Sequence, residues 1–308
     1  MIGNNLNRSL RMSIQQSNNA SLTVRDAFKF TIDKFPLSGP DGMATPWYGL
    51  FRSDNGEVVG NGSVSNRYVP HTTDDVCALV DAASEAFQDD VECRTHFRDG
   101  HYVEIKPTRA DRLSIFGTTD NVWPRVMVRA GYDGRAFSAS MGYYRDVCQN
   151  MAIFRKVNGT TVSIRHTSGL RSKMRDLIQS FQILKSSWAT LADLIQNLQN
   201  RQVSMVHFLD QVYGQPEPDA GQKAVTIHRN RTEAIFSRLY RERMVTGRPS
   251  LTDDFMVSGW EAYNAIQGYV QHDARTKTGF KGEFDRILKA ANDPGVHKAE
   301  ALALALVA

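Results

Sequence analysis

Cysteine is scarce in this chain: Cys77, Cys93 and Cys148 are the only three among 308 residues. So few thiols, odd in number and widely spaced, exclude a disulfide framework and fit a reducing, cytoplasm-like compartment. Long apolar runs are also missing. None reaches the ~18 residues needed to cross a bilayer, so no membrane partner is expected. The opening stretch, Met1 to Ser21, is rich in Asn, Ser and Gln and lacks the apolar segment of a secretory signal, so residues 1–22 read as a flexible arm. No Gly-x-x-x-x-Gly-Lys-Ser/Thr loop, paired-cysteine pattern or His-Glu-x-x-His helix occurs, which argues against ATP-driven chemistry and a motif-borne zinc site. A large excess of one charge is absent as well: 37 basic against 33 acidic residues leave +4. With 41% apolar and 23% charged residues, the composition is that of a globular protein with a sizeable core.

Turn chemistry dominates the first half. Asn55-Gly56, Asp99-Gly100, Asp133-Gly134 and Asn158-Gly159 each lie between β-like runs, and such dipeptides accept the positive φ angles of tight hairpin turns. Thr72-Thr73-Asp74-Asp75 can cap a helix running to about Phe87, its acidic residues facing the positive end of the dipole. After Gly169 the period changes. Leu170, Met174, Leu177, Phe181, Leu184, Trp188, Leu191, Ile195 and Leu198 form a heptad stripe on a helix of about 30 residues, or about 45 Å. That stripe suits packing across a sheet or a contact between subunits. Residues 215–222, which include Gln215-Pro216-Glu217-Pro218, read as a linker. Helical segments follow near Ile227 to Val245, Thr252 to Val270 and Lys281 to Ala291, with a break at Asp293-Pro294-Gly295 and an Ala-rich tail suited to a final helical turn or self-association. The expected fold class is α+β: an antiparallel sheet of hairpins backed by a long helix over 23–214, then a helical region over 223–308.

The charge is unevenly placed. Residues 37–93 hold ten acidic and two basic side chains, residues 145–185 eight basic and two acidic, and residues 223–248 seven basic and two acidic. Positive clusters of this kind suit a phosphate-backbone partner, although each can also be a solvated helix face. At the third hairpin, a turn centred on Asp133-Gly134 sets Val126, Val128 and Ala130 opposite Met141, Ala139 and Phe137 as the core face. Alternation then places Arg125, Met127 and Arg129 on the other face with Ser138, Ser140 and Tyr144. Arginine forks suit phosphate oxygens, and a tyrosine can stack on an unpaired base. The same logic at the fourth hairpin adds Lys156 and Arg165. With Arg145, Arg155, His166, Arg171 and Lys173 from the basic cluster, these residues make up the expected nucleic-acid surface.

Catalytic patterns are weaker. Glu104-Ile105-Lys106 matches the Glu-x-Lys element of metal-dependent nucleases, but Asp99 lies about 16 Å away along an extended strand, too far to share an ion. Only a distant residue such as Asp111 could complete such a site. Alternation separates Cys93 from His96, and with His101 the set lacks a fourth zinc ligand. His272-Asp273 reads as a solvated pair. No catalytic residue, metal or cofactor is therefore expected.

Several elements resemble a known family. Gly60 to Pro70 leads into a capped helix, Cys148-Gln149-Asn150 precedes a hairpin ending in Ile164-Arg165-His166-Thr167, and Ser258-Gly259-Trp260-Glu261-Ala262-Tyr263-Asn264-Ala265 follows later. In this order, over roughly residues 45 to 292, they resemble the phage/plasmid-like family known as domain of unknown function 932. The resemblance implies a protein carried by mobile elements and singles out Arg165 and His166; His166 and Thr167 could equally cap the long helix. A more distant architectural likeness is to the ring-forming single-strand annealing proteins of phage recombination. The resulting expectation is a single-stranded DNA-binding protein that anneals complementary strands in recombination or replication. It would act as a homo-oligomeric ring or filament in the cytoplasm of a bacterial host cell. The alternatives are a metal-dependent nuclease using Glu104 and Lys106, and a non-catalytic oligomeric partner protein.

Overall fold

Antiparallel pairing dominates the sheets. The computed structural model describes residues 22–60, 63–87, 91–97, 100–108, 112–132, 136–147, 150–153, 161–166, 169–252, 254–275 and 283–308. A small meander joins β1 (Ile32–Ser38), β2 (Ala44–Arg52) and β3 (Val64–Ser65). The main sheet contains β4 (Val91–Phe97), β5 (Gly100–Pro107), β6 (Leu113–Ser114), β7 (Asn121–Gly131), β8 (Phe137–Arg145), β9 (Met151–Ile153) and β10 (Thr161–Ile164). A last pair is β11 (Gln202–Ser204) with β12 (Met256–Ser258). The helices are α1 (Thr73–Phe87), α2 (Leu170–Gln179), α3 (Phe181–Asn200), α4 (Met205–Tyr213), α5 (Gln222–Val245), α6 (Gly259–Gly268), α7 (Glu283–Ala291) and α8 (Pro294–Ala305). The fold is α+β, with antiparallel sheets and a helical C-terminal region. Its chain divides into two compact units: residues 1–110, 124–142 and 158–188, and residues 111–123, 143–157 and 189–308.

In the first unit the strand order is β10-β8-β7-β5-β4. Val126, Val128, Ala130, Phe137, Ala139 and Met141 are all fully buried, so the alternation read from the sequence locates this core face correctly. Gly100 pairs directly with Gly131, and a Cβ at Gly100 would sit 2.5 Å from the Gly131 Cα, so only a bare backbone fits this crossing. The first turn is longer than a two-residue hairpin: the Arg52 N–H donates to the Glu57 carbonyl at 2.9 Å around a four-residue loop that ends at Gly56, φ +70°. Asp99, Asp133, Gly134, Asn158 and Gly159 lie outside the described residues. β9 and β10 each hydrogen-bond to β8. The α1 cap forms as expected, with Thr72 Oγ1 accepting from the Asp75 N–H at 3.2 Å and Asp75 Oδ2 accepting from the Thr72 N–H at 2.7 Å.

The expected single long helix is two helices, parted at Ser180. Its Oγ donates to the Asp176 carbonyl at 2.7 Å, a local bond that competes with helix continuation. Leu170, Phe181, Leu184, Leu191, Ile195 and Leu198 of the stripe are fully buried, which gives it a packing role.

In the second unit the expected helix from Thr252 begins later, at Gly259, because residues 256–258 pair as β12 and Ser258 forms a capping box with Glu261. The break at Asp293 starts a new helix: its carboxylate accepts from the Gly295 and Val296 N–H groups with Pro294 in the first turn. The Ala-rich tail continues that helix to Ala305. Pro216 to Gly221 separate α4 from α5. Among the described residues, no helix is long and apolar enough to cross a membrane.

Candidate nucleic-acid interface

The face opposite the β7/β8 core is not an open cationic surface. Arg125 and Met127 are 5% and 3% exposed. Glu104 lies opposite Met127 in the β5/β7 register, and its Oε1 accepts from Arg125 Nε at 3.1 Å while Oε2 pairs with Arg94. The Arg125 guanidinium also donates to the Pro124 carbonyl at 2.9 Å. Burial selects this arrangement, since an ionised arginine in a low-dielectric setting needs a carboxylate beside it. Both Glu104 oxygens are thus engaged by arginines. Lys106 in turn pairs with Glu92 at 3.5 Å.

The remaining expected residues are scattered. Arg129 is half-buried, its guanidinium 5.9 Å from the Tyr102 ring. His166 is buried and stacks on Tyr68 at 5.1 Å, its Nδ1 3.4 Å from the Val69 carbonyl oxygen. Arg165 and Lys173 are exposed. Arg171 belongs to α2, with its side chain outside the described set, and Arg155 and Lys156 lie outside the described residues. Tyr144 and Arg145 fall in the second unit, where Tyr144 is half-buried. Arg145 is buried there between Asp120, at 2.7 Å, and Glu242, at 2.5 Å. Among the described residues, Arg125 and Arg145 are therefore held in buried ion pairs rather than presented along an open trough.

Resemblance motifs in the second unit turn out to be internal. Asn150 and Asn264 are both fully buried. Asn150 Nδ2 donates to the Asn264 carbonyl at 3.3 Å, the Tyr143 hydroxyl donates to Asn264 Oδ1 at 2.8 Å, and His272 Nε2 lies 3.1 Å from Asn150 Oδ1. His272 is thus part of a packed network rather than a solvated pair. These residues satisfy one another's hydrogen bonds in the core, and a packing role accounts for them.

What the first unit does present is an open cavity of about 910 Å³. Its lining combines the 25–35 segment with His71, the start of α1, His101 on β5 and Tyr132 just past β7. Arg25, Lys29 and Lys34 supply positive charge; Phe28, Phe30 and Phe35 supply rings. Arg25 pairs with Asp74, and Lys29 with Asp26 at 3.1 Å, both at exposed positions where such pairs are weak and a phosphate can compete. Lys34 is more firmly held. Its Nζ donates to the Asn66 and Tyr68 carbonyls at 2.7 and 2.9 Å, and desolvation lowers its pKa. Phe35 is 54% exposed, an aromatic face open to a partner.

The floor of the cavity is polar and buried. His71 and His101 are each 1% exposed, with 2.8 Å between His71 Nε2 and His101 Nδ1. Tyr132 stacks on His71 at 4.3 Å, and its hydroxyl donates to the His71 carbonyl at 3.0 Å. Phe28 meets the His101 ring edge-on at 4.4 Å. Desolvation, with His101 and His166 nearby, holds His71 well below the usual histidine range. Desolvation and then the Arg52 charge lower His101 to about 3, so both rings are neutral. Burial pushes the Cys77 and Cys93 thiols up to about 11 and 12, so neither is a ready thiolate. Among the described residues, no group of three His, Cys, Asp or Glu side chains is placed to hold a metal ion.

Sequence reasoning missed this site because its parts lie far apart in the chain. His101 came under scrutiny only beside Cys93 and His96. Strand order, rather than local spacing, brings His71, His101 and Tyr132 together, and the only local hint is the run of aromatic and basic residues from Arg25 to Phe35.

A family model described as Domain of unknown function (DUF932) matches residues 61–302. The match covers the cavity floor but not the 25–35 rim, and it begins and ends later than the resemblance read from the motifs. No curated protein and no solved structure matches. Since the match takes in well over half of the residues, this chain belongs to the DUF932 family.

Proposed function

We propose that the protein binds single-stranded DNA through its first unit, as a component of a phage or other mobile element. In this reading it anneals complementary strands during recombination or replication as a homo-oligomer. The observation that carries the reading is the open cavity of about 910 Å³, in which Arg25, Lys29 and Lys34 stand beside Phe28, Phe30 and Phe35. Cations meet phosphates and release counterions, while ring faces stack on unpaired bases of any sequence. Exposed Arg165 and Lys173 add positive charge to the same unit. Duplex DNA hides its base faces, so single strands are favoured.

The test is a salt-titrated binding series on labelled single- and double-stranded DNA, with particle mass measured in parallel. Single-strand affinity is expected to fall by at least tenfold between about 50 and about 200 mM salt. Arg25→Ala and Lys29→Ala each weaken binding and make the salt slope shallower by about one unit. Salt-independent binding, or none, contradicts the reading. A mass that does not respond to DNA removes the assembly part alone.

A further inference from the structure

His71 and His101 form a pair whose chemistry exceeds what phosphate binding and stacking require. Both line the cavity, both are 1% exposed, and the contact between them is 2.8 Å. A hydrogen bond between two neutral imidazoles needs one ring to donate and the other to accept. If His71 Nε2 carries the proton, His71 Nδ1 is a bare acceptor and His101 Nε2 is an N–H donor. If His101 Nδ1 carries it, both outer nitrogens reverse. The outer atoms, His71 Nδ1 and His101 Nε2, are buried and have no hydrogen-bond partner among the described residues. Burying two such atoms unsatisfied is unfavourable, and sites of this kind call for an explanation beyond packing.

We infer that this imidazole pair reads nucleobases: a base entering the cavity hydrogen-bonds to the pair, which offers a donor to a base carbonyl or an acceptor to a base amino group by exchanging tautomers. The inference rests on the single-stranded DNA reading above. Phe30, half-buried and nearly parallel to the His101 ring at 6.0 Å, is the ring a base displaces or stacks on. An arginine facing guanine has fixed polarity and selects one base. A tautomer-exchanging pair does not, so recognition demands a hydrogen-bonding edge yet accepts all four bases.

The experiment compares, on the full chain, oligothymidine with an oligomer in which difluorotoluene, an apolar ring of the same shape, replaces every thymine. Phosphates and stacking area are shared, and only the hydrogen-bonding edge differs. The apolar oligomer is expected to bind about tenfold more weakly. Saturation with oligothymidine is expected to shift the ¹⁵N resonances of His71 Nδ1 or His101 Nε2, assigned with His71→Gln and His101→Gln. Equal affinity for the two oligomers, or unmoved imidazole resonances at saturation, overturns the inference and leaves the binding reading intact. If neither oligomer binds, both fail.

Discussion

Glu104→Ala will lose about 3–5 kcal/mol of stability, because it removes the carboxylate half of the buried Glu104–Arg125 ion pair. Glu104 and Arg125 are 3% and 5% exposed, their contact is 3.1 Å, and Glu104 also pairs with Arg94. Removing one partner of a buried pair costs far more than the pair contributes. For the same reason a double change, Glu104→Leu with Arg125→Met, is expected to recover most of the loss. Urea unfolding of the three variants checks both statements. A Glu104→Ala variant as stable as wild type would place Arg125 in water, and the cationic β7/β8 surface would return. The same variant separates stability from chemistry: where a nuclease would lose cleavage with its stability intact, this one loses stability.

Acidification from neutral pH to pH 5 will destabilise the first unit by about 2 kcal/mol through His101 alone. Its pKa is lowered from 6.5 to about 3 in the folded protein, so the folded state holds it neutral while the unfolded chain takes up a proton. Stability from this group is therefore complete above about pH 6.5. It falls as pH drops below that value and is fully lost only near pH 3. His71, lowered by burial, adds to the loss in the same direction. The exposed carboxylates Asp54 and Asp254 are lowered from 3.8, which leaves the window between pH 6.5 and 5 to the histidines. Urea midpoints at pH 7 and pH 5 measure the effect, and His101→Phe should flatten it. Equal wild-type midpoints at the two pH values would mean that the pair is solvated.

Local chemistry carried much of this fold into view before any coordinates. Alternation around Asp133-Gly134 located six fully buried core residues, Thr72 and Asp75 capped α1, and the heptad stripe marked a packed helical face. What alternation could not reveal was that the second face of β7 and β8 is also covered. A strand buried on both faces still alternates, and only the Glu104 carboxylate across the register betrays where Arg125 goes. Ser180 divided the long helix through one side-chain bond that period counting ignores. The cavity was hidden for a different reason. His71, His101 and Tyr132 are separated by about thirty residues at each step, and their meeting depends on β5 lying beside β7. Charge clustering pointed to a polyanion, but within 145–185 it counted Arg145, which a second-unit ion network consumes. It gave no weight to Arg25 and Lys29, which line the cavity.

Photocrosslinking tests the location of the binding site most directly. Single-stranded DNA carrying bromodeoxyuridine is irradiated with the protein, and the attached peptides are identified by mass spectrometry. Adducts concentrated between Arg25 and Phe35 and at Tyr132, suppressed by excess unlabelled strand, are the predicted result. Adducts confined to the second unit, or spread evenly along the chain, would contradict a binding site at the histidine-floored cavity.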